Sequence, residues 1–382
     1  CGTVSLYPKA AEKTQEAALP EAEAASIQKT ADGFVMENGL VSARINGQGE
    51  VVSFRLKTGN GTADGLSREY AAGPMNRLRL FKDVPRKFDA WDIDSNYVCQ
   101  EIEGACEVAV EPVEEGLEAV LKVTGRISQS AYTQYIRLAA DSRRLEFETI
   151  IDWKELHRLL KTSFPVNVYA ENGINEIQFG YVERPAHRSR PYDQERFEVC
   201  NHHYSAFRDA NGGAAVLNDC KYGISMNENS LELTLLRASA APEMRADNKV
   251  HHFTYAFTAW EGSFMDSDVV RQGYELNVKP YLASGSGQDF SMLSIDRANI
   301  ILDTMKPAED GSGDIILRLY ESKKAATSAS VQLSRELLTA GSSVYACDML
   351  ENVTEELAVS DGALVLSFHP FEIRTIRIAG PR

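Results

Sequence analysis

The feature that most limits what this chain can fold into is a period of two. Leu121, Val123 and Ile127 alternate with Lys122, Thr124 and Arg126. Leu145, Phe147 and Thr149 alternate with Glu146 and Glu148, and Leu231, Leu233 and Leu235 with Glu232 and Thr234. Successive side chains of an extended strand point to opposite faces, so each run offers one face to a core and one to water. That is the pattern of antiparallel strands. It recurs from Gly33 to the C-terminal end, and it predicts an all-β protein. Asn46-Gly47 and Asp361-Gly362 tolerate positive φ and predict hairpin turns between strands. No sustained helical period is visible outside residues 9–30, although Ser334–Leu338 would allow a short helical turn.

A chain of 382 residues exceeds one ordinary domain, and its composition changes at two places. Residues 1–8, CGTVSLYP, read as a short strand. Residues 9–30 are rich in Ala, Glu, Lys and Gln, contain Pro20 and have no aromatic residue, which predicts a linker or loosely packed spacer. The Gly/Ser run Ser284–Gln288 is a second boundary. Beyond it Ile315, Leu317 and Leu319, then Leu364, Leu366 and Phe368, resume the alternation. The expected layout is therefore residues 1–30 as an end piece with linker, 31–283 as a large β domain, and 284–382 as a smaller β-sandwich.

Charge and sulfur narrow the setting. There are 55 acidic against 40 basic residues, a net charge of −15. Phosphate backbones and anionic membrane surfaces repel such a chain, so neither nucleic acid nor membrane is an expected partner. No stretch reaches the ~20 apolar residues of a membrane helix. Residues 1–30 lack the basic-then-apolar order of a secretory signal, and the chain opens on Cys1 rather than Met, as a fragment would. None of the six cysteines forms a CxxC pair, and five lie in or beside apolar runs. They are expected to be reduced thiols of an intracellular, cytoplasmic protein.

Three stretches could carry chemistry. Phe88-Asp89-Ala90-Trp91-Asp92-Ile93-Asp94, followed by Tyr97, sets carboxylates beside aromatic rings, as a sugar pocket needs. Asp92 and Asp94 would share a face of a strand. The plainer reading is a surface turn with a buried Trp. The stretch from Tyr181 to Asp209 breaks the alternation and holds Arg184, His187, Arg188, Arg190, Asp193, Cys200, His202 and His203. Cys and His in one loop invite a zinc reading, but the spacing fits no standard finger, and Arg–carboxylate pairs explain the composition more simply. Leu217-Asn218-Asp219-Cys220-Lys221 suits an Asx turn; Lys221 would be catalytic only if buried and depressed in pKa. Signatures of phosphate loops, nucleophile elbows, HExxH sites and dinucleotide folds are absent.

Taken together, several runs resemble the C-terminal half of family-38 α-mannosidases, nearest to the cytosolic, vacuolar and bacterial branch. They are FDAWDID (88–94), IDWKELHRLLKTSFPV (151–166), EIQFGYVERPAHR (176–188), DQERFEV (193–199), LNDCKYG (217–223), LLRASAAPE (235–243) and YELNV (274–278). The tail adds MKPAEDG (305–311), ILRLYE (316–321) and FHPFEIRT (368–375). The resemblance covers nearly the whole chain in order.

What it implies is specific. Residues 31–283 would form a galactose-mutarotase-like supersandwich and residues 284–382 the terminal β-sandwich. In the family a divalent metal, zinc or cobalt, is held by two His and two Asp of an N-terminal catalytic domain, where one Asp is the nucleophile of a retaining mechanism. No positions here match that motif, so this fragment would bind no metal and be inactive by itself. It would pack on the catalytic domain and help wall a pocket for mannose-containing oligosaccharides, in a bacterial enzyme whose terminal sandwich offers a route to homo-oligomers. Asp92, Asp94, Tyr97, Arg184, His187 and Asp193 are the expected pocket contacts. One departure is the Arg-Ser-Arg-Pro-Tyr run (188–192), where the family often has an aromatic nearer Arg190 or Pro191; Tyr192 would supply that ring. Two other readings stand beside this one. The chain could be a free-standing carbohydrate-binding module with Trp91, Tyr192 and Trp260 as a platform. It could instead be a lyase- or mutarotase-like enzyme using His187 and Asp92 as acid and base.

Overall fold

A computed structural model describes residues 2–3, 24–57, 65–102, 104–281 and 289–380. The boundary run Ser284–Gln288 and most of the 9–30 spacer lie outside them. The described chain is almost wholly β. Two compact units divide it: residues 16–176 with 182–279, and residues 1–15, 177–181 and 280–382.

Three sheets build the larger unit. A nine-stranded sheet runs in the order Gly180–Pro185, Asn172–Ile177, Tyr204–Asp209, Gly212–Asn218, Val250–Glu261, Leu145–Asp152, Ser130–Ala139, Glu118–Ile127 and Ala105–Glu114. A six-stranded sheet has the order Val199–Cys200, Gly223–Asn227, Ser230–Arg237, Arg158–Pro165, Arg77–Lys82 and Glu101–Ile102. A four-stranded meander joins Ser26–Thr30, Gly33–Glu37, Val41–Asn46 and Val51–Leu56. The alternation is the cause of this layering. In Leu145–Asp152 every second side chain is buried, Leu145, Phe147, Thr149 and Ile151, and the register Phe147↔Tyr255 sets two buried rings side by side.

Aromatic side chains lock the sheets together. Phe164 of the six-stranded sheet stacks on Phe257 of the nine-stranded sheet at 5.6 Å, and Phe54 of the meander meets Phe257 edge-on at 5.0 Å. Such pairs add roughly 0.5–1.5 kcal/mol each beyond the area they bury. Trp260 lies in this interior, 2% exposed, so it cannot belong to a surface sugar platform with Trp91 and Tyr192.

The smaller unit pairs a three-stranded sheet (Leu293–Ile295, Thr327–Leu333, Ala363–Phe368) with a five-stranded one (Ile300–Pro307, Ile315–Glu321, Ile373–Ala379, Ser343–Cys347, Val353–Leu357). Leu317, Leu319, Leu364, Leu366 and Phe368 fill its core. Asp361 and Gly362 both take positive φ, and the Ala363 amide donates to the Ser360 carbonyl at 2.8 Å, the two-residue turn this pair favours. Around Asn46-Gly47 the turn is longer: Gly49 carries the positive φ and Asn46 Oδ1 accepts from the Gln48 and Glu50 amides.

One expectation needs correction. Val269–Asn277 is a nine-residue helix where no helical period was evident. Its buried side, Val269, Val270, Gly273 and Leu276, is short and interrupted by a glycine, so the pattern is too brief to stand out. The five described cysteines are free thiols, and Cys99, Cys106, Cys200 and Cys220 are exposed.

Candidate functional site

The segment from Asp83 to Gln100 crosses one end of the six-stranded sheet, and a single arginine organises it. Arg237, the last residue of the strand Ser230–Arg237, pairs with Asp83 at 2.7 Å. Its guanidinium also donates to the carbonyls of Asp89, Ala90 and Asp92, at 3.1, 3.3 and 2.6 Å. Burial pushes the Asp83 carboxyl above its ordinary range, and Arg237 opposes that push. Asp89 does the complementary work. Its Oδ2 accepts the Ala240 and Ala241 amides at 2.7 and 3.1 Å and meets His157 Nε2 at 3.1 Å. Burial pushes the Asp89 carboxyl up, but these donors outweigh it and hold the group below the usual carboxylate range.

The loop so anchored displays its rings outward. Phe88, at φ 54°, is 68% exposed and Trp91 is 72% exposed. Asp92 Oδ1 accepts the adjacent Ile93 amide, and Asp94 Oδ2 accepts the Arg86 amide. Tyr97 turns the other way, into the interior, where Phe81 packs edge-on at 5.2 Å.

The second stretch, 185–201, is tied down by Asp193. This carboxylate is buried at the start of a short helix, Pro191–Gln194, and accepts from Arg190 Nε at 2.7 Å. Arg190 holds it below its ordinary pKa. His187 Nδ1 stands 3.8 Å from the same carboxylate, and Arg196 3.6 Å. Tyr192 lies half-exposed between Arg190 and Arg196, with their guanidinium carbons 4.6 and 5.4 Å from its ring centre. Arg184 is committed to the sheet: it donates to Asn175 Oδ1 at 2.7 Å and to the Cys200 carbonyl at 3.2 Å. No hydrogen bond or ion pair joins His187 to Asp92 among the described residues, so the acid–base pair considered for them is not assembled.

A cavity of about 300 Å³ opens against both stretches. Val98 comes from the first and Arg188 from the second; Arg79, Ser225, Asn227 and Glu232 supply most of the remaining polar wall. Arg79 is held in place between Glu101 (2.6 Å) and Glu232 (2.5 Å). Amide, hydroxyl and charged groups around so small a space suit a polyhydroxylated ligand. None of Asp92, Asp94, Tyr97, Arg184, His187 and Asp193 is among the residues lining it. Tyr97 stands behind its wall, in a buried cluster where Lys161 Nζ donates to Glu198 Oε2 (2.5 Å), Ser225 Oγ (3.0 Å) and the Tyr97 hydroxyl (3.2 Å).

Sequence reasoning did not single out Arg79, Glu232, Ser225, Lys161 or Glu198. The available signal was a charge amid apolar neighbours, as at Lys161 after Leu159-Leu160 and Arg79 between Leu78 and Leu80. At Lys221 the expected turn forms, with Asn218 Oδ1 accepting the Lys221 amide. Burial lowers the pKa of Lys221, whose ammonium lies over the Phe253 ring at 4.4 Å.

Comparison with known proteins places this architecture. Residues 36–245 match the model of the glycosyl hydrolases family 38 C-terminal domain, and residues 299–376 that of the family 38 C-terminal beta sandwich domain. Alpha-mannosidase 2C1 of Homo sapiens is 31% identical over 369 residues, covering 94% of this chain and 35% of its own length. Alpha-mannosidase G of Dictyostelium discoideum is 32% identical, covering 90% of this chain and 32% of its own length. The chain thus spans about a third of these relatives. A crystal structure of an alpha-mannosidase from Enterococcus faecalis V583 shares the fold over 90% of this chain and 42% of its own, with a TM-score of 0.71 at 17% identity. The first of these matches spans more than half of the 382 residues and takes in both loops around the cavity, and on that ground the chain belongs to glycosyl hydrolase family 38, whose two C-terminal β domains it contains.

Proposed function

We propose that this chain is the C-terminal part of an α-mannosidase that releases terminal α-D-mannosyl residues from oligosaccharides in the cytoplasm. The observation that carries the proposal is the match of 94% of the chain to 35% of the length of Alpha-mannosidase 2C1. The free thiols of the five described cysteines suit a reducing compartment.

In this reading the chain's task is architectural. The loops around Trp91 and Tyr192 face an N-terminal catalytic domain and narrow its sugar pocket, because large rings held outward on an anchored loop mark a contact face. Asp92, Asp94 and His187 lie at that rim as sugar or domain contacts, while Tyr97, Arg184 and Asp193 hold the rim in shape. Retaining, metal-dependent chemistry belongs to the catalytic domain, where two His and two Asp would hold zinc or cobalt. Among the described residues no set of two His and two Asp is brought together, so that centre is not formed by them.

The test is hydrolysis of an aryl α-mannoside by the purified chain, with and without zinc or cobalt, beside a chain extended N-terminally to the length of its relatives. Turnover by the extended chain alone is the expected result. Metal-dependent turnover by the 382 residues alone would overturn it.

The polar cavity favours one second reading, a carbohydrate-binding module. Saturable millimolar binding of mannose by this chain, lost on Arg79→Ala, would support it.

A further inference from the structure

We propose that Glu176, His202 and His203 form a binding site for a divalent transition-metal ion of the zinc class, built wholly within the larger unit and distinct from the family's two-His, two-Asp centre. The proposal is independent of the function argued above.

Topology brings the three together. Strands Asn172–Ile177 and Tyr204–Asp209 are antiparallel neighbours with Asn175 opposite Ser205. The next residue of the first strand therefore meets the residues that lead into the second. Each side chain offers one ligand atom, and the three atoms lie within 4.8 Å of one another. His203 Nδ1 is 3.1 Å and His202 Nδ1 3.9 Å from Glu176 Oε2. In a tetrahedral site with bonds of ~2.0–2.1 Å, neighbouring ligand atoms stand roughly 3.3 Å apart. The observed separations bracket that value, so small side-chain rotations complete the site.

The ligands are also held in advance. The His203 amide donates to Glu176 Oε2 at 2.5 Å and fixes the carboxylate. Asn218, fully buried, donates through Nδ2 to the His202 carbonyl at 2.7 Å and through its backbone amide to the His203 carbonyl at 3.0 Å. The imidazole centres lie 3.9 Å apart with the rings tilted by 30°, and each is flanked by a tyrosine: Tyr222 at 5.4 Å from His202 and Tyr274 at 5.3 Å from His203. Orientation by surrounding groups is what raises metal affinity beyond the ligands themselves.

The donor set selects the ion. Two imidazole nitrogens and one carboxylate oxygen suit Zn²⁺ or Co²⁺, whereas Mg²⁺ and Ca²⁺ prefer all-oxygen shells. Access selects the geometry. The Glu176 side chain is 6% exposed, His203 15% and His202 40%, so the site opens on the His202 side and leaves a position for water or an external ligand. A purely structural imidazole–carboxylate contact would explain one histidine on Glu176. It does not explain two, with His203 Nδ1 hydrogen-bonded to Oε1 at 3.2 Å and His202 Nδ1 also within 4 Å of the same carboxylate.

The experiment is titration of the tag-free, reduced, chelator-stripped chain with Zn²⁺ by calorimetry, and with Co²⁺ by visible absorption, alongside His202→Ala and Glu176→Gln. The expected result is one equivalent of Zn²⁺ in the wild type, weakened by more than about 100-fold in His202→Ala, with a Co²⁺ spectrum free of thiolate charge-transfer bands. His202 is half-exposed, so that variant keeps its fold, which circular dichroism checks; Glu176→Gln is read only if its spectrum is unchanged. No binding by the wild type, equal binding by wild type and His202→Ala, or a thiolate band placing the ion on cysteine would each overturn the proposal.

Discussion

Lys161 Nζ lies 2.5 Å from Glu198 Oε2 in a site where the lysine side chain is wholly enclosed and the glutamate is 13% exposed. Ser225 and Tyr97 take the remaining two ammonium donors, and the other Glu198 oxygen accepts from Thr234. Burial pulls the Lys161 pKa down, but Glu198 and Tyr97 more than restore it, so the ammonium stays charged. Removing one partner strands the other charge away from water. Lys161→Met is therefore expected to cost about 3–5 kcal/mol, while Lys161→Met with Glu198→Leu recovers most of that. Urea unfolding measures both; equal losses in the single and double variants would show that the pair does not act as a unit.

Arg237→Ala makes a prediction in pH. The substitution removes the group that opposes the upward push of burial on Asp83 and frees the carbonyls of Asp89, Ala90 and Asp92. A loss of about 2–3 kcal/mol follows for charged hydrogen bonds broken at a buried carboxylate. The sign of the pH dependence is fixed by Asp83. A carboxyl whose folded pKa is raised destabilises the fold above that pKa, and the penalty fades as pH falls through it. The deficit of Arg237→Ala relative to wild type should thus be largest at neutral pH and shrink in mild acid. Thermal midpoints across that range test this; a deficit that grows in acid would contradict it.

Asp89 carries the opposite sign. Its folded pKa is depressed, so its contribution is complete above the ordinary carboxylate range and is lost as pH falls through the folded value. Acid should then release the 88–94 loop before the sheets melt. Amide exchange at Ala240 and Ala241, whose N–H groups Asp89 accepts, is the readout, and their protection should fall below the ordinary carboxylate range.

The layering of the fold was legible because burial on one face forces a period of two, as in Leu145–Asp152, and local turn chemistry fixed Asp361-Gly362. The site was legible only by segment. Val98, just beyond Phe88–Asp94, and Arg188 of the 181–209 stretch line one cavity, yet which side chains face it depends on partners far along the chain. Asp89 and Asp92 look alike in sequence, but the Asp89 carboxylate meets Ala240 and His157, whereas the Asp92 carboxylate accepts from the adjacent Ile93 amide. Arg79 and Glu232 come from strands 153 residues apart, and Glu176 precedes His203 by 27. Such pairings are set by sheet topology, which no local pattern encodes.

Gly213 tests the packing beneath the nine-stranded sheet. It stands opposite Trp260, and a Cβ there would overlap the indole ring and the Phe207 carbonyl. Neither neighbour has room to move: Phe207 is fully buried and Trp260 is 2% exposed. Overpacking typically costs about 1–3 kcal/mol, more where backbone is involved. Gly213→Ala should therefore destabilise by about 3 kcal/mol or leave the chain insoluble, whereas Gly47→Ala, with nothing near its Cβ, should be close to neutral.

Phe88 and Trp91 separate a docking face from a structural one. Both rings are mostly in solvent, and the loop that bears them is held by Arg237 and Asp89 rather than by the rings. Phe88 also sits at φ 54°, a conformation that asparagine accepts more readily than a bulky residue. Phe88→Asn with Trp91→Ser should leave the stability of this chain within about 0.5 kcal/mol of wild type, because exposed side chains away from caps and pairs contribute little. In the N-terminally extended enzyme the same pair of substitutions should lower aryl mannoside turnover, since a contact face lost from a pocket wall misplaces the groups opposite it. Unchanged stability with unchanged turnover would remove this loop from the wall. A large loss of stability in the short chain would mean that the rings serve its own core instead.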